Sequence, residues 1–352
     1  MRIALVTPVA YPSVRGNAVT VGRLLRGLRG RGVEAEVLDL SRTPPAAAAG
    51  RLDALGPGII HAFHAFQAAP AVAPFARQRG VPLVISLTGT DANIDLFRPG
   101  RRSATRAAIR QARALIAFHE TIRTKVAAAV PEVAPRIEII PQSVDLEDAP
   151  DQLVDLGPCR PGEVRFLLPA GIRRVKNVLF PVAPLGALAR RYPIRFVVAG
   201  PILEEAEGRR LIAAIAGSGW ASYLGEVPHA LMGSLLDQVD VVINSSRSEG
   251  GMANSILEAM SRGRPLLAAD IEGNRSVIED GVEGFLFRDG EEFAERAERL
   301  IRDPALRERL GAAGRAKVGR LYPPDREIDA HLDLYRRLLA DGARTPSAPL
   351  AC

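Results

Sequence analysis

One stretch, residues 244–265, limits the possible folds of this chain more than any other. It reads NSSRSEGGMANSILEAMSRGRP and follows an apolar run at residues 241–243 that is typical of the end of a buried strand. Its short polar and glycine residues predict a tight loop close to a ligand. The apolar periodicity that follows predicts a helix, which Asn254 or Ser255 can cap. The stretch therefore predicts a strand, a glycine-rich loop and a helix N-terminus in one unit.

Such a unit suits a ligand that carries both negative charge and hydroxyl groups. A helix N-terminus offers backbone N–H groups and a positive dipole end to an anion. Glu249 in the loop and Glu258 on the helix can each accept hydrogen bonds from hydroxyls. A nucleotide sugar has a diphosphate and many hydroxyls, so we expect a ligand of this class.

The stretch resembles the C-terminal signature of the retaining glycosyltransferases of family 4, the group 1 transferases with a GT-B fold. That signature, SxxEGxxxxxxEAMxxGxP, places its two glutamates eight positions apart, whereas Glu249 and Glu258 are nine positions apart. The extra residue falls at Gly250 and Gly251. We expect it to bulge the loop without moving the helix.

The order of strand and helix patterns predicts an α/β fold. Residues 2–8, 18–31 and 33–40 have strand, helix and strand patterns, an opening that is typical of a doubly wound parallel sheet. No GxGxxG motif accompanies them, so a nicotinamide or flavin cofactor is not supported. The length, 352 residues, suffices for two domains. With the resemblance, this predicts a GT-B fold of two Rossmann-like domains, each with a doubly wound parallel sheet, that face a cleft holding the active site.

The domain limits follow from a segment that is rich in Asp and Pro. Residues 147–163 show little periodicity, which favours an interdomain linker. A helical pattern at residues 291–321 is predicted to break near Gly311. The expected parts are an N-terminal acceptor-side domain at 1–146, a C-terminal nucleotide-sugar-binding domain at 164–325, a last helix at 326–339 that packs back on the first domain, and a flexible tail at 340–352.

A basic loop is expected to hold the diphosphate. Residues 169–177 read PAGIRRVKN after a predicted strand, and fixed cations at the carboxyl end of a strand suit a leaving diphosphate. In the family an Arg and a Lys of this loop hold the donor diphosphate; Arg173 and Lys176 match best, and Arg174 competes for the Arg role. The resemblance implies Arg173, Lys176 and Glu249 as catalytic residues. It implies no enzymic nucleophile, but a front-face mechanism in which the leaving phosphate takes the acceptor proton.

The resemblance also implies which residues bind the donor. Gly16 and Asn17 stand where the family has a glycine pair whose backbone approaches the donor phosphates. Residues 224–227, LGEV, resemble a family loop that lies beside the nucleotide base. Glu258 is implied to hold the ribose hydroxyls. The expected donor-binding residues are Gly16, Asn17, Val227, Gly250, Gly251, Met252, Ala253, Asn254 and Glu258.

Acceptor contacts are expected in the first domain. His61 and His64 lie near the end of a predicted strand, where ligands gather in open α/β sheets; the alternative for each is an ordinary hydrogen bond in the loop. Thr88 stands where many family members have a His close to the sugar. Asp91 either faces the acceptor or caps the next turn. The acceptor candidates are His64, Thr88 and Asp91.

Charge and composition limit the partners. The net charge is +6, and six arginines at 98, 101, 102, 106, 110 and 113 form either a solvated face or a patch for an anionic membrane or acceptor. Few aromatics and no recognised motif argue against nucleic acid. No apolar run approaches the roughly 20 residues of a membrane span, and the N-terminus lacks a signal-peptide pattern. We therefore expect a cytoplasmic protein, able to lie on the inner membrane face.

Two further hypotheses stay open. A GT-B phosphorylase, epimerase or sugar-phosphate synthase would use the same basic site with phosphate or a phosphosugar. A non-catalytic GT-B binding protein is suggested by the nine-position glutamate spacing, the absent loop His and the short phosphate loop. For the favoured hypothesis we expect a UDP- or GDP-linked sugar donor, an acceptor that the sequence does not identify, and no cofactor. No Asp-x-Asp triplet occurs, so no metal site is predicted.

Overall fold

A computed structural model, which describes residues 1–146, 153–249 and 251–344, divides the chain into two compact units. The first unit comprises Met1–Ser13, Asn17–Gln142 and the chain from Pro324 onward. The second comprises Val14–Gly16 and Ser143–Pro323. Residues 147–152 of the predicted linker and residues 345–352 of the predicted tail lie outside the described residues.

The described residues form twelve strands and thirteen α-helices. The strands are β1 (Arg2–Thr7), β2 (Glu34–Asp39), β3 (Ile59–Phe63), β4 (Leu83–Ser86), β5 (Ala114–Ala117), β6 (Ile137–Ile139), β7 (Val164–Pro169), β8 (Ile194–Ala199), β9 (Ala221–Tyr223), β10 (Val241–Asn244), β11 (Leu266–Ala269) and β12 (Gly284–Phe287). The helices are α1 (Gly16–Gly30), α2 (Pro45–Leu55), α3 (Ala69–Arg79), α4 (Pro99–Gln111), α5 (Glu120–Ala129), α6 (Val182–Ala189), α7 (Glu205–Ile215), α8 (Met232–Asp237), α9 (Asn254–Ser261), α10 (Glu272–Arg275), α11 (Gly290–Arg302), α12 (Pro304–Leu321) and α13 (Pro324–Arg344).

Each unit is built on one parallel sheet. The first sheet has the order β2-β1-β3-β4-β5-β6 and the second the order β12-β11-β10-β7-β8-β9. Every neighbouring pair of strands runs parallel. The central strands are buried apolar runs, because helices cover both faces of such a sheet. The prediction of two doubly wound parallel sheets is confirmed.

The last helix, α13, belongs to the core of the first unit. Ile328, Leu332 and Tyr335 pack with Ile3 and Leu5 of β1 in one buried cluster. The helix begins at Pro324, a residue that suits the first turn, and it continues to Arg344, beyond the predicted range 326–339.

A buried polar network also fastens α13 to the first unit. The guanidinium of Arg23 on α1 donates to both carboxylate oxygens of Glu327, at 2.8 and 3.1 Å. The ring of His61 on β3 is hydrogen-bonded to the hydroxyls of Tyr335, at 2.7 Å, and of Ser86, at 2.8 Å. His61 is completely buried, so the alternative of a structural hydrogen bond describes it better than a place at a ligand.

Two buried histidines should make the protein less stable in acid. Burial, with a smaller contribution from His331, holds the pKa of His61 well below its usual range, and burial also lowers the pKa of His331, although Glu327 opposes this. Below about pH 6.5 the unfolded chain therefore takes up protons that the folded protein does not, and the free energy of unfolding falls. Urea titrations between pH 8 and 5 measure this fall.

Single replacements test the contribution of each ring. His61→Gln and His331→Gln are each expected to flatten the pH dependence, by up to about 1.4 kcal/mol per pH unit below pH 6.5. Equal slopes for the wild type and both variants would contradict the assignment, whatever the absolute stabilities.

The break near Gly311 that the sequence predicted is wrong. The helical region instead divides at Asp303, whose side chain accepts from the N–H of Leu306 at 2.9 Å and caps α12, with Pro304 at its first position. Gly311 lies inside α12, where a Cβ atom would overlap the carbonyl group of Gly263. Its role is close packing rather than helix termination.

Candidate active site

The middle of the second sheet is where the winding of the chain changes direction. From β7 the chain proceeds outward to β8 and β9, then returns to β10 beside β7 and proceeds the other way to β11 and β12. In open α/β sheets, ligands bind outside the carboxyl ends of the strands at such a switch point. The loops after β7 and β10 leave the sheet there and form the candidate site.

An ion pair joins these two loops. Lys176 ends a three-ten turn, Arg174–Lys176, and its ammonium donates a hydrogen bond to Oε1 of Glu249. The same oxygen accepts from the Ser246 hydroxyl at 2.6 Å and from the side-chain amide of Asn244 at 3.3 Å. The side chains of Lys176 and Glu249 are 16% and 12% exposed. The pair is therefore largely shielded from water but still reachable.

Glu249 is ionised in spite of its burial. Desolvation by itself would raise the pKa of Glu249, but the charge of Lys176 and the hydrogen bonds from Lys176, Ser246 and Asn244 outweigh it, so that this pKa lies below its usual value. An ammonium has three donor hydrogens, and Glu249 uses one of them. Lys176 can thus offer further N–H groups to an oxyanion in surroundings where charge interactions are stronger than in water.

Hydrogen bonds hold the two loops in a fixed relative position. The Ser245 hydroxyl lies 3.1 Å from the carbonyl oxygens of both Lys176 and Asn177. The backbone N–H of Arg247 donates to the carbonyl oxygen of Val175 at 2.9 Å. Asn177 adopts a left-handed conformation with φ of 50°, which Asn tolerates better than most residues. The ion pair therefore stands on a preorganised base.

The two candidate arginines have different surroundings. The side chain of Arg173 is half-buried, and its Nε has no hydrogen-bond partner in the part of the chain that the structure describes. Arg174 is exposed, and its backbone N–H donates to Glu204 at 3.0 Å. A half-buried cation with an unused donor suits an anionic ligand. The geometry therefore favours Arg173 for the predicted phosphate contact, which stays a prediction.

The glycine-rich loop is described only in part. Gly250 lies outside the described residues, whereas Gly251 and Met252 are buried. Gly273 of α10, the short helix after β11, packs against this region: a Cβ atom on Gly273 would lie 2.7 Å from both Cβ and the carbonyl oxygen of Glu249. Only glycine permits this approach, so α10 helps to position Glu249.

The cap that the sequence predicted for α9 is wrong. Ala253 occupies the cap position, and α9 begins at Asn254 without a side-chain cap from Asn254 or Ser255. Because Asn254 is already helical, its side-chain amide points elsewhere and donates to the carbonyl oxygen of Gly16 at 3.1 Å. Asn254 and Gly16, two predicted donor-binding residues of the second unit, are thus brought together. Asn17, which follows Gly16 at the start of α1, is half-buried.

Glu258 belongs to a hydrogen-bond network of its own. It lies on α9, and its Oε1 is 2.9 Å from Nε2 of His229. His229 begins a three-ten turn, His229–Leu231, just after the buried Val227. Glu249 and Glu258 therefore have separate partners, which is compatible with separate roles.

Asp91, an acceptor candidate in the first unit, is completely buried. Its carboxylate accepts hydrogen bonds from the backbone N–H groups of Ala65 and Gly89 at 2.8 Å, Ala92 at 3.0 Å and Thr88 at 3.3 Å. These bonds join the loop after β3 to the loop after β4. Of the two alternatives for Asp91, the capping role describes this geometry.

His64 is held in a backbone conformation that side chains rarely adopt. Its φ is 105°, and its ring is almost completely buried. The N–H groups of Phe66 and Gln67 donate to Nδ1 at 3.2 and 3.1 Å, so the ring hydrogen is on Nε2, which donates to the Thr90 hydroxyl at 2.8 Å. Thr88 is half-buried in the same loop as Thr90. Strain that the structure maintains is common at functional sites, so the Thr88 loop keeps its place as an acceptor candidate.

Several residues of the site had not been predicted. Asn244, His229 and Gly273 touch predicted residues, and Thr90 touches His64. A polar residue two positions after the LGEV loop is a usable signal for His229. The position of Gly273 against Glu249 has no local signal, because it depends on the pairing of β10 with β11.

The described residues contain neither a metal-binding cluster nor a membrane-spanning helix. No group of three or more His, Cys, Asp or Glu side chains is arranged to hold a metal ion in the ranges that the structure covers. None of the helices described combines the length and the apolar character that crossing a membrane requires. Metal independence stays a prediction.

Comparison with known proteins agrees with the fold. Residues 164–303 match the family model "Glycosyl transferases group 1", and residues 40–148 match "Glycosyltransferase Family 4". The chain is 25% identical over 272 residues to a glycosyltransferase 1 domain-containing protein of Xenopus tropicalis, covering 74% of this chain and 78% of that protein. It is 27% identical over 304 residues to the α-D-kanosaminyltransferase of Streptomyces kanamyceticus, covering 79% and 77%.

A solved structure extends the likeness to almost the whole chain. Anabaena HepE in complex with UDP and glucose superposes with a TM-score of 0.75 at 17% identity, covering 96% of this chain and 100% of that one. At this identity the likeness shows the fold.

Proposed function

We propose that the chain is a GT-B glycosyltransferase that moves a sugar from a nucleoside-diphosphate donor to an acceptor with retention of anomeric configuration and without a metal, as its matches to two glycosyltransferase family models and its fold support. The observation that carries this proposal is the shielded Lys176–Glu249 pair at the switch point of the second sheet. Lys176 offers a cation that can bind the diphosphate of the donor, and Glu249 beside it offers a carboxylate that can accept hydrogen bonds from the sugar hydroxyls. Anabaena HepE, with the same fold, was solved with UDP and with UDP-glucose.

The proposed roles follow from the charge of each group. Lys176 and Arg173 stabilise the negative charge that develops on the leaving diphosphate. The hydrogen bonds from Ser245 to the backbone of the Lys176 loop keep Lys176 in place before the reaction. Glu249, with the backbone of residues 250–254, orients the sugar, and Glu258 accepts from the ribose hydroxyls. The leaving phosphate takes the proton of the acceptor, so no enzymic nucleophile is needed.

The remaining predicted residues have supporting roles in the proposed reaction. Gly16, Asn17 and Val227 contact the donor. Thr88 and the strained His64 loop contribute to the acceptor side, where Asp91 acts by holding the loop.

We also propose a weak contact between α4 and an anionic membrane surface. Of the six arginines around α4, Arg101 pairs with Asp95 and Arg110 with Glu132. Arg98, next in the chain to the exposed Phe97, and Arg102 are exposed. Two cations near an anionic surface contribute about 2 kcal/mol together, enough for transient attachment only. We propose a cytoplasmic protein whose attachment to anionic vesicles, measured by sedimentation, is weak and lost in 0.5 M salt.

Turnover of candidate donors tests the proposal. The full chain is incubated without added metal with the glucose conjugates of UDP, GDP, ADP and dTDP and with GDP-mannose, in the presence of a mixture of simple sugars and polyols as acceptors. Proton NMR follows the anomeric signal. We expect one donor to release its nucleoside diphosphate, with an α-linked donor giving an α-configured product and EDTA having no effect.

Other outcomes separate the alternatives. A β-configured product would contradict retention. Turnover that requires inorganic phosphate would favour the phosphorylase hypothesis. Nucleotide binding without any turnover would favour the non-catalytic hypothesis.

A further inference from the structure

The contact between His229 and Glu258 gives a role to a residue that stands outside the predicted site. We propose that His229 is a positioning residue for recognition of the ribose: it fixes the Glu258 carboxylate so that the second oxygen accepts hydrogen bonds from the 2′- and 3′-hydroxyls of the nucleotide. This inference rests on the proposed function, and it adds a residue that determines selectivity for ribonucleotides.

The state of the Glu258 carboxylate supports this role. Its side chain is only 8% exposed, and a carboxylate at such a place needs hydrogen-bond donors. Oε1 is 2.9 Å from Nε2 of His229, and since a carboxylate oxygen accepts, Nε2 of His229 is the donor of this bond. Oε2 accepts no hydrogen bond from any residue in the described ranges. One oxygen is thus occupied, and the other is available to a ligand.

The backbone around His229 is well placed to fix this geometry. Pro228 restricts the chain just before His229, and the N–H of Leu231 donates to the carbonyl oxygen of Pro228 at 2.9 Å, which closes the three-ten turn. Buried Val227 anchors the other side. The His229 side chain therefore extends from a rigid turn. The Glu258 side chain has three rotatable bonds, and restricting their freedom on binding costs free energy. A preset carboxylate removes that cost.

The alternative is that the bond only connects the turn before α8 to α9. In that case its loss would lower stability and leave the discrimination between ribose and its deoxy forms unchanged. The ratio of two dissociation constants separates the roles, because a general weakening of the fold affects both nucleotides alike.

The experiment compares each nucleotide with the same nucleotide lacking both hydroxyls. Calorimetric titrations measure the dissociation constants of UDP, GDP and ADP and of their 2′,3′-dideoxy forms with the full-length wild type, His229→Phe and His229→Gln. Phe retains a ring without a donor, and the Gln amide can still donate to Glu258. His229→Ala replaces the Phe variant if that one does not fold, and thermal unfolding checks every protein.

We expect the wild type to prefer the ribose form of its nucleotide by about 10- to 100-fold, the usual effect of hydrogen bonds to a charged group. His229→Phe should lower this preference about 10-fold, and His229→Gln should largely retain it. Nucleotide binding with the same preference in the wild type and His229→Phe would overturn the role of His229 and leave the proposed function standing. Binding of dTDP alone would overturn the ribose-recognition role, and absence of binding by the wild type to these three nucleotides and to dTDP would overturn the proposed function itself.

Discussion

Lys176→Ala is expected to lower kcat/KM for the donor by about 10²- to 10³-fold, the usual effect of removing one preorganised group that stabilises developing negative charge. The variant loses the cation at the switch point, and the buried Glu249 carboxylate loses the charge that lowers its pKa. The pKa of Glu249 should therefore rise, and the sugar-orienting carboxylate should be protonated over a wider pH range. Steady-state kinetics between pH 5 and 8 measure both effects.

The chain contains a matched control for this substitution. Lys317 pairs with Glu283 at 2.9 Å in the same unit, and its side chain is 20% exposed, close to the 16% of Lys176. It does not belong to the loops after β7 and β10, so Lys317→Ala should lose an equivalent ion pair and keep wild-type kcat/KM. Equal activity losses in the two variants would show that Lys176 acts through stability alone.

Glu327→Ala is expected to destabilise the protein by about 3–5 kcal/mol, the usual cost of breaking a buried ion pair by removing one partner. The side chains of Arg23 and Glu327 are 4% and 2% exposed, so water does not replace the two hydrogen bonds that Arg23 would lose. The helix α13, which Glu327 ties to α1, should then detach more readily. Urea titration followed by circular dichroism measures the change.

An exposed ion pair between α13 and the residue that follows α1 provides the control. Arg31, directly after α1, donates to Asp325 at 2.7 Å, with Asp325 86% exposed. Exposed pairs contribute little to stability, so Asp325→Ala should leave the transition midpoint nearly unchanged. A midpoint shift for Asp325→Ala as large as that for Glu327→Ala would contradict the claim that burial makes the Arg23–Glu327 pair the larger contribution to stability.

Local patterns in the sequence predicted the fold well. Strand-and-helix alternation and the signature at residues 244–265 correctly indicated two doubly wound parallel sheets. The buried stripe of Ile256, Leu257 and Met260 on α9 is also as the helical periodicity requires. These features depend on neighbours within one or two turns, and such patterns are legible without tertiary information.

The failures came from contacts that are distant in sequence. In the sequence Gly311 has the character of a helix breaker, but it serves the close packing of α12 against Gly263. Asn254 has the character of a helix cap, but its side-chain amide donates to the carbonyl oxygen of Gly16. Arg23 and Glu327 are 304 positions apart in the sequence, so no local pattern predicts their ion pair. In the candidate site, the sequence singles out Lys176 and Glu249 one by one, and their roles stay predictions. Their contact depends on β7 lying beside β10, which no local pattern shows.

Binding of nucleoside diphosphates is the measurement that tests the central claim most directly. UDP, GDP, ADP and dTDP are added without metal to the wild type, Lys176→Ala and Lys317→Ala, and the melting temperature is recorded. A nucleotide at 100 times its dissociation constant stabilises the folded protein by about 2.7 kcal/mol. We predict that one nucleotide raises the melting temperature of the wild type and Lys317→Ala but not of Lys176→Ala. No shift with any nucleotide at millimolar concentration, or equal shifts in all three proteins, would contradict a donor site built on Lys176 and Glu249.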